Sequence, residues 1–388
     1  MVSPGRMALD FELNESQRKL VGMVRDFCVR EVKPQAQEWD REERFPREVV
    51  GQLGELGLLG MTVPEELGGS ELDTLSVACV VEEIARWDGS LALTVASHNG
   101  LGTSHLLRFG SDELRKRFIP EIAAGRKLAA WGLTEPGSGS DAAAMRSTAV
   151  RKDKGWVLNG AKMFITQGSV GDVFVVLALT EPEKRQKGVT AFLLEKGMKG
   201  FSQRPLHGKL GMRSSDTAEL VMEDVFVEDW RRIGEVGGGF VDTLKILDKG
   251  RITIGALSVG LGRGALEESI AYAKERKAFG KPIADFQALR WMMADMATEL
   301  DAARLLVFRA ARLADSGRPY TREAAMAKLF ASEAASRAAA HGVQIHGGYG
   351  FTKEFLVERI YRDVKLCTIG EGTSEIQRMV IARELLKA

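Results

Sequence analysis

Near the C-terminal end the chain reads TIGEGTSEIQ over residues 368–377, with Glu371 between Gly370 and Gly372 and just ahead of an apparent final helix. A solvated surface glutamate has no need of two neighbours without side chains. A carboxylate whose segment must crowd another molecule does, because glycine lets the backbone approach where a Cβ would collide. Other chemistries find less support. His341 and His346 in HGVQIH stand five apart, too far for the helical i, i+4 metal pair, and no carboxylate cluster completes a site around them. No serine lies in a G-x-S-x-G elbow, and no cysteine pairs obviously with a histidine. GSGSDA (137–142) matches the dinucleotide pattern formally, but no strand–crossover-helix unit follows it. GLGRGA (260–265) lies inside a helical pattern, where close helix packing is the simpler reading.

What remains is a series of loops with small residues, hydroxyls and a few cations: LTEPGSGSD, KMFIT, DKGR, ERKAFGKPIADFQ, QIHGGYG and GEGTSE. Each is a place where backbone can approach a large polar ligand. Singly, each also has a plainer explanation: Arg276 and Lys277 as a solvated helix end, Phe279 as core, Gly347 and Gly348 as a helix C-cap.

The elements that must position these loops fall into three textures. Residues 1–124 read helical, with Asn14 as an N-cap, Gln17 three residues on, and Leu20, Val24, Phe27 and Val32 at roughly helical spacing. Residues 125–232 carry short runs rich in β-branched and aromatic residues, such as GWVLNGAKMFIT and DVFVVLALT. No helix-length pattern comes between them, which predicts a mostly antiparallel β domain. Residues 233–388 return to long, Ala-rich helical patterns that predict a bundle. The fold class is therefore α+β multidomain, in the order α, β, α.

Composition sets the bounds. The chain has 388 residues, 45% of them hydrophobic, and 54 Lys plus Arg against 53 Asp plus Glu for a net charge of +1. That balance argues against non-specific binding to nucleic acid or an anionic membrane. Cys28, Cys79 and Cys367 are far apart and suit a reducing compartment. The N-terminus lacks an apolar leader core and no run approaches membrane-spanning length, so a cytoplasmic protein without a bound metal is expected.

Taken together and in this order, LTEPGSGSD and the run from QIHGGYG through ERIYRDVKLCTIGEGTSEIQRMVIARELL resemble the acyl-CoA dehydrogenase family over nearly the whole chain. The C-terminal half is most similar to short-chain and bacterial broad-range members. The resemblance implies a helical domain, a middle β domain and a C-terminal four-helix bundle, usually in a homotetramer. It implies oxidation of an acyl-CoA thioester to trans-2-enoyl-CoA, with tightly bound FAD taking the β-hydride at N5 and electrons passing to electron-transferring flavoprotein. Glu371 matches the base that removes the α-proton. With a reference pKa of about 4.3 it is a poor base for a carbon acid unless burial raises it.

The resemblance also implies the remaining site. Leu133, Thr134, Gly139 and Ser140 match the FAD phosphate and ring-edge loop, and Phe164, Ile165 and Thr166 flank the isoalloxazine. Arg276 and Phe279 would come from a neighbouring subunit, with Gln287 and the run Gln344, Ile345, His346, Gly347 and Gly348 completing that end. Thr373 and Glu375 fall in the matching stretch after the base. Asp248, Arg251 and Ser140 meet the substrate, with Gly370 and Gly372 beside it. Some relatives carry the base on a helix, where this chain has Gly250. Three departures stand out: Phe164 for a common Trp, Ala278 for a hydroxyl residue, and Gly370 for a common Tyr. An oxidase of the same fold would be expected to carry a further helical domain, whereas the sequence stops at Ala388. A flavin-free helical scaffold is the alternative from another class. Chain length, branching and pathway, whether fatty-acid β-oxidation or branched-chain amino-acid catabolism, are not legible in these motifs.

Overall fold

A computed structural model describes residues 12–387, so the stretch read for a leader segment lies mostly outside it. The described residues open with α1 (Glu15–Phe27), and its start is the capping box expected from the sequence. Gln17 N–H donates to Asn14 Oδ1 at 2.8 Å while Asn14 N–H donates to Gln17 Oε1 at 3.1 Å, so two otherwise orphaned donors are satisfied. Val24, Phe27 and Val32 are buried and Leu20 is half-buried. Six more helices follow: α2 (Ala36–Glu42), α3 (Arg47–Glu55), α4 (Thr74–Trp87), α5 (Gly89–Ser97), α6 (Ser104–Phe109) and α7 (Asp112–Ala123). Every residue of α4 up to Arg86 is buried, the mark of a helix covered on all sides.

The middle of the chain forms eight strands: β1 (Ala129–Gly132), β2 (Thr148–Lys152), β3 (Gly155–Thr166), β4 (Val173–Leu179), β5 (Val189–Glu195), β6 (Phe201–Pro205), β7 (Thr217–Glu228) and β8 (Arg232–Ile233). Their order across the sheet is β6-β7-β3-β2-β4-β5-β8, with β1 added beside β4. The β1–β4 and β2–β4 pairings are parallel and the rest antiparallel. The continuous apolar run VFVVLAL in β4 is buried along its whole length, as a strand covered on both faces should be. GSGSDA lies in the loop between β1 and β2, so it serves no strand–crossover-helix unit. The β3–β7 ladder slips register between Lys162 and Ile165. Within that irregularity Phe164 takes φ 60° and leaves its ring 69% exposed.

The 37-residue helix α8 (Gly239–Glu275) then runs about 55 Å through the C-terminal region. A two-residue pair of short strands, β9 (Lys277–Ala278) and β10 (Lys281–Pro282), links it to α9 (Gln287–Asp315), α10 (Thr321–His346), α11 (Leu356–Cys367) and α12 (Ser374–Leu386). GLGRGA is a packing seam: a Cβ on Gly260 would sit 2.7 Å from Ala85 Cβ, and one on Gly264 would sit 3.0 Å from the Arg86 carbonyl oxygen. Among the described residues no helix is long and apolar enough to cross a membrane.

Candidate active site

Glu371 sits in the short turn between α11 and α12. Its backbone adopts φ 52°, a left-handed conformation uncommon for a residue with a side chain, and Gly372 follows at φ 96°. The turn is held from beneath. Lys328 on α10 donates to the Gly372 carbonyl at 2.7 Å, and Gln377 Nε2 donates to the same oxygen at 2.9 Å and to the Glu371 carbonyl at 3.2 Å. Thr373 caps α12 by accepting from Ile376 N–H at 3.3 Å. Among the described residues, neither the backbone N–H of Glu371 nor its buried Oε2 has a hydrogen-bond partner.

The residue as a whole is half-buried, but its carboxylate end is enclosed. Burial pushes its pKa up to about 7, against the opposing pull of Lys328 and then Arg251. The floor under it is Gly250 on α8. A Cβ there would overlap Glu371 Oε2 and stand 2.9 Å from Cδ, so a glycine is what lets the carboxylate occupy this space. Gly370 differs. It lacks a positive φ, and the nearest atoms a Cβ would meet are those of Leu366, at 3.5 Å from the carbonyl oxygen and 3.8 Å from Cδ1. Only Gly372 of the two flanking glycines is required by backbone conformation.

One turn of α8 brings Asp248 and Arg251 together. Arg251 Nη1 donates to Asp248 Oδ1 at 2.5 Å, and Thr321 Oγ1 donates to Asp248 Oδ2 at 2.5 Å. Arg251 is 5% exposed and near enough to Glu371 for each charge to shift the other's proton affinity. These residues, with Gly370, Gly372, Thr373 and the exposed Glu375, form one group.

A second group lies in the β domain. Leu133 and Thr134 follow β1, Gly139 and Ser140 are exposed in the loop beyond, and a Cβ on Gly137 or Gly139 would meet nothing within 4 Å. Met163 N–H donates to the Thr134 carbonyl at 2.8 Å, which ties this loop to the segment carrying Phe164, Ile165 and Thr166. The loop is braced by an ion pair that the sequence reading passed over. Lys162, fully buried, donates to Glu135 Oε1 at 2.7 Å and to the Leu133 carbonyl at 3.3 Å. Glu135 also accepts from Arg146 and Ser147 N–H at 2.6 and 3.0 Å.

The third group is at the far end of α8 and α10, where Tyr272, Arg276, Ile345, His346, Gly347 and Gly348 help to line a cavity of about 550 Å³. Phe279 occupies the tip between β9 and β10 at φ 51° with 94% of its surface exposed, so it is no core residue. Gln287 and Gln344 are exposed nearby in sequence. No residue of the 133–140 or 164–166 segments lines that cavity.

Comparison with known proteins resolves what such a layout belongs to. Models of the acyl-CoA dehydrogenase N-terminal, middle and C-terminal domains match residues 14–126, 130–225 and 237–386. The chain belongs to the acyl-CoA dehydrogenase family. As a member it is an FAD-dependent oxidoreductase. It is 44% identical to the short-chain specific acyl-CoA dehydrogenase of Clostridium acetobutylicum, over 98% of this chain and 100% of that protein. It is likewise 44% identical to the caffeyl-CoA reductase-Etf complex subunit CarC of Acetobacterium woodii, over 97% and 99%. The structure of butyryl-CoA dehydrogenase from Megasphaera elsdenii aligns with a TM-score of 0.96 at 38% identity, covering 97% of this chain and 100% of that one. Within this acyl-CoA dehydrogenase chain, Lys328, Gln377 and the Lys162–Glu135 pair were missed by sequence reasoning. Each looks like an ordinary polar position until tertiary packing buries it.

Proposed function

We propose that the protein dehydrogenates an acyl-CoA thioester to the trans-2-enoyl-CoA, with Glu371 as the base that takes the α-proton. The observation that carries this is the enclosed, unpartnered Oε2 of Glu371 over the bare surface of Gly250. A carboxylate with a pKa of about 7 is a far stronger base than a solvated one, yet remains substantially ionised at neutral pH. The Glu371 N–H is free to donate to the thioester carbonyl, where it would stabilise the charge that develops as the α-proton leaves. Arg251, fixed by Asp248, adds positive potential on the same side.

The residues present fit FAD. Two outward aromatic faces, a loop stripped of side chains around Gly137 and Gly139, and a cation beside the open Gly347–Gly348 turn suit a large planar group with a pyrophosphate. Leu133, Thr134, Gly139, Ser140, Phe164, Ile165 and Thr166 would hold its flavin end, with Thr373 and Glu375 beyond the base. Arg276, Phe279, Gln287 and Gln344–Gly348 would hold the other end from a second copy. That no residue of the first set lines the cavity at the second supports such sharing, and a homotetramer is the assembly that the family resemblance implies. When bound, FAD supplies the acceptor for the β-hydride. Asp248, Arg251, Ser140, Gly370 and Gly372 would surround the acyl-CoA. Electrons would pass to an electron-transferring flavoprotein, in the cytoplasm, in fatty-acid β-oxidation or branched-chain amino-acid catabolism. The match to a reductase-Etf subunit favours a second reading, in which the same site runs in reverse and protonated Glu371 returns the proton.

The test is anaerobic bleaching of the yellow protein by butyryl-CoA. Glu371→Gln should keep FAD and bind acyl-CoA, yet reduce the flavin about 10³-fold more slowly. Near-parental bleaching would overturn the assignment of the base.

A further inference from the structure

Lys328 is fully buried near the start of α10, directly under the turn that carries Glu371. Its partner is the Gly372 carbonyl, a neutral group. The carboxylates on its own helix are engaged elsewhere, Glu323 by Arg309 and Arg322 and Glu333 by Arg378. An unpaired ammonium is costly to bury, and a methionine of similar length would fill the same space without that cost. The hydrogen bond does not explain the choice either, because Gln377 Nε2 already donates to the same carbonyl at 2.9 Å. What Lys328 adds beyond that hydrogen bond is its charge.

We propose that Lys328 is a positioning residue for the base: its buried positive charge, fixed under the 371–372 turn, keeps the Glu371 carboxylate ionised and ready to accept a proton. This rests on the reading of Glu371 as the base. The charged and titratable groups that act on the pair come from three helices. Arg251 faces it from α8, Cys367 from the end of α11 and Glu375 from α12, while Asp248, Arg383 and Tyr320 lie around Arg251. Of these, Lys328 and then Arg251 hold the proton affinity of Glu371 down against burial. Burial lowers Lys328 itself to about 8, so it remains mostly protonated at neutral pH.

The experiment is the pH profile of anaerobic flavin reduction by butyryl-CoA in the FAD-loaded enzyme. Four forms are compared: parent, Lys328→Met, Lys328→Gln and Lys328→Arg. A base works only when ionised, so removing the cation raises its pKa and moves the acidic limb of the profile to higher pH. For Met and Gln that limb should shift up by about one pH unit, making reduction about tenfold slower below it and nearly unchanged well above it. Lys328→Arg should keep the limb in place. A rate lowered equally at every pH, or a parental profile restored by Gln, would overturn the proposal, since both point to packing or hydrogen bonding. If Lys328→Met fails to retain FAD, the Gln and Arg forms decide alone. Glu371→Gln in parallel separates the two readings: if it bleaches at the parental rate, the base assignment fails whatever Lys328 does.

Discussion

In the β domain, Lys162 donates to a carboxylate whose remaining capacity is filled by two backbone N–H groups. In the helical bundle, Lys328 donates to a carbonyl beside a carboxylate oxygen that has no partner among the described residues. Both ammonium groups are fully buried. The first arrangement is closed: each charge has its complement, and the contacts tie Leu133, Glu135, Arg146 and Ser147 to β3. The second is open, and the missing complement is what a reacting molecule would supply. A buried charge that is fully satisfied builds scaffold, whereas one left incomplete marks the place where chemistry is held ready.

The largest effect that would test this contrast lies in the closed pair. Lys162→Met leaves Glu135 buried without its cation and should cost about 3–5 kcal/mol of stability in urea unfolding, with weaker FAD retention. Lys162→Met combined with Glu135→Leu should recover most of that loss. If the single variant is as stable as the parent, the closed pair is no brace and the contrast breaks. The next effect is on the open side. Gly250→Ala places a methyl group where Glu371 Oε2 lies, so the base must swing aside. Flavin reduction should slow about 10²-fold for a displacement of this kind, with little change in thermal stability. Unchanged reduction would show that the observed position of Oε2 is not the working one. The smallest effect concerns Gly370. Because its backbone is not left-handed and a Cβ finds ordinary contacts, Gly370→Ala is free of strain. Filling the space with Ala or Tyr should therefore act on substrate choice. The kcat/KM preference for butyryl-CoA over isovaleryl-CoA should rise by roughly ten- to a hundred-fold. An equal fall for both substrates would refute a pocket role.

What the sequence revealed and what it hid follow the same division. The Asn14–Gln17 capping box, the change from helical to strand texture and the Glu371 stretch were legible because each depends on residues adjacent in the chain. Of the two glycines singled out around Glu371, only Gly372 answers to backbone conformation, and the left-handed φ of Glu371 itself had no sequence signal. Phe279 read equally well as core, yet it is almost wholly exposed, since hydrophobicity alone does not say which surface a ring will meet. Lys162 and Lys328 were invisible for the opposite reason. Each is a lysine in a run where solvation is the ordinary fate, and only packing from strands or helices distant in sequence encloses it.

The overlap between Gly250 and the Glu371 carboxylate also ties two positions distant in the chain to one volume. A side chain at 250 and the present placement of the Glu371 carboxylate compete for it, so a larger residue on α8 is accommodated only if the flexible end of Glu371 moves. With Glu371 as the base proposed above, the two positions should vary together across related chains, bulk at one being matched by retreat at the other.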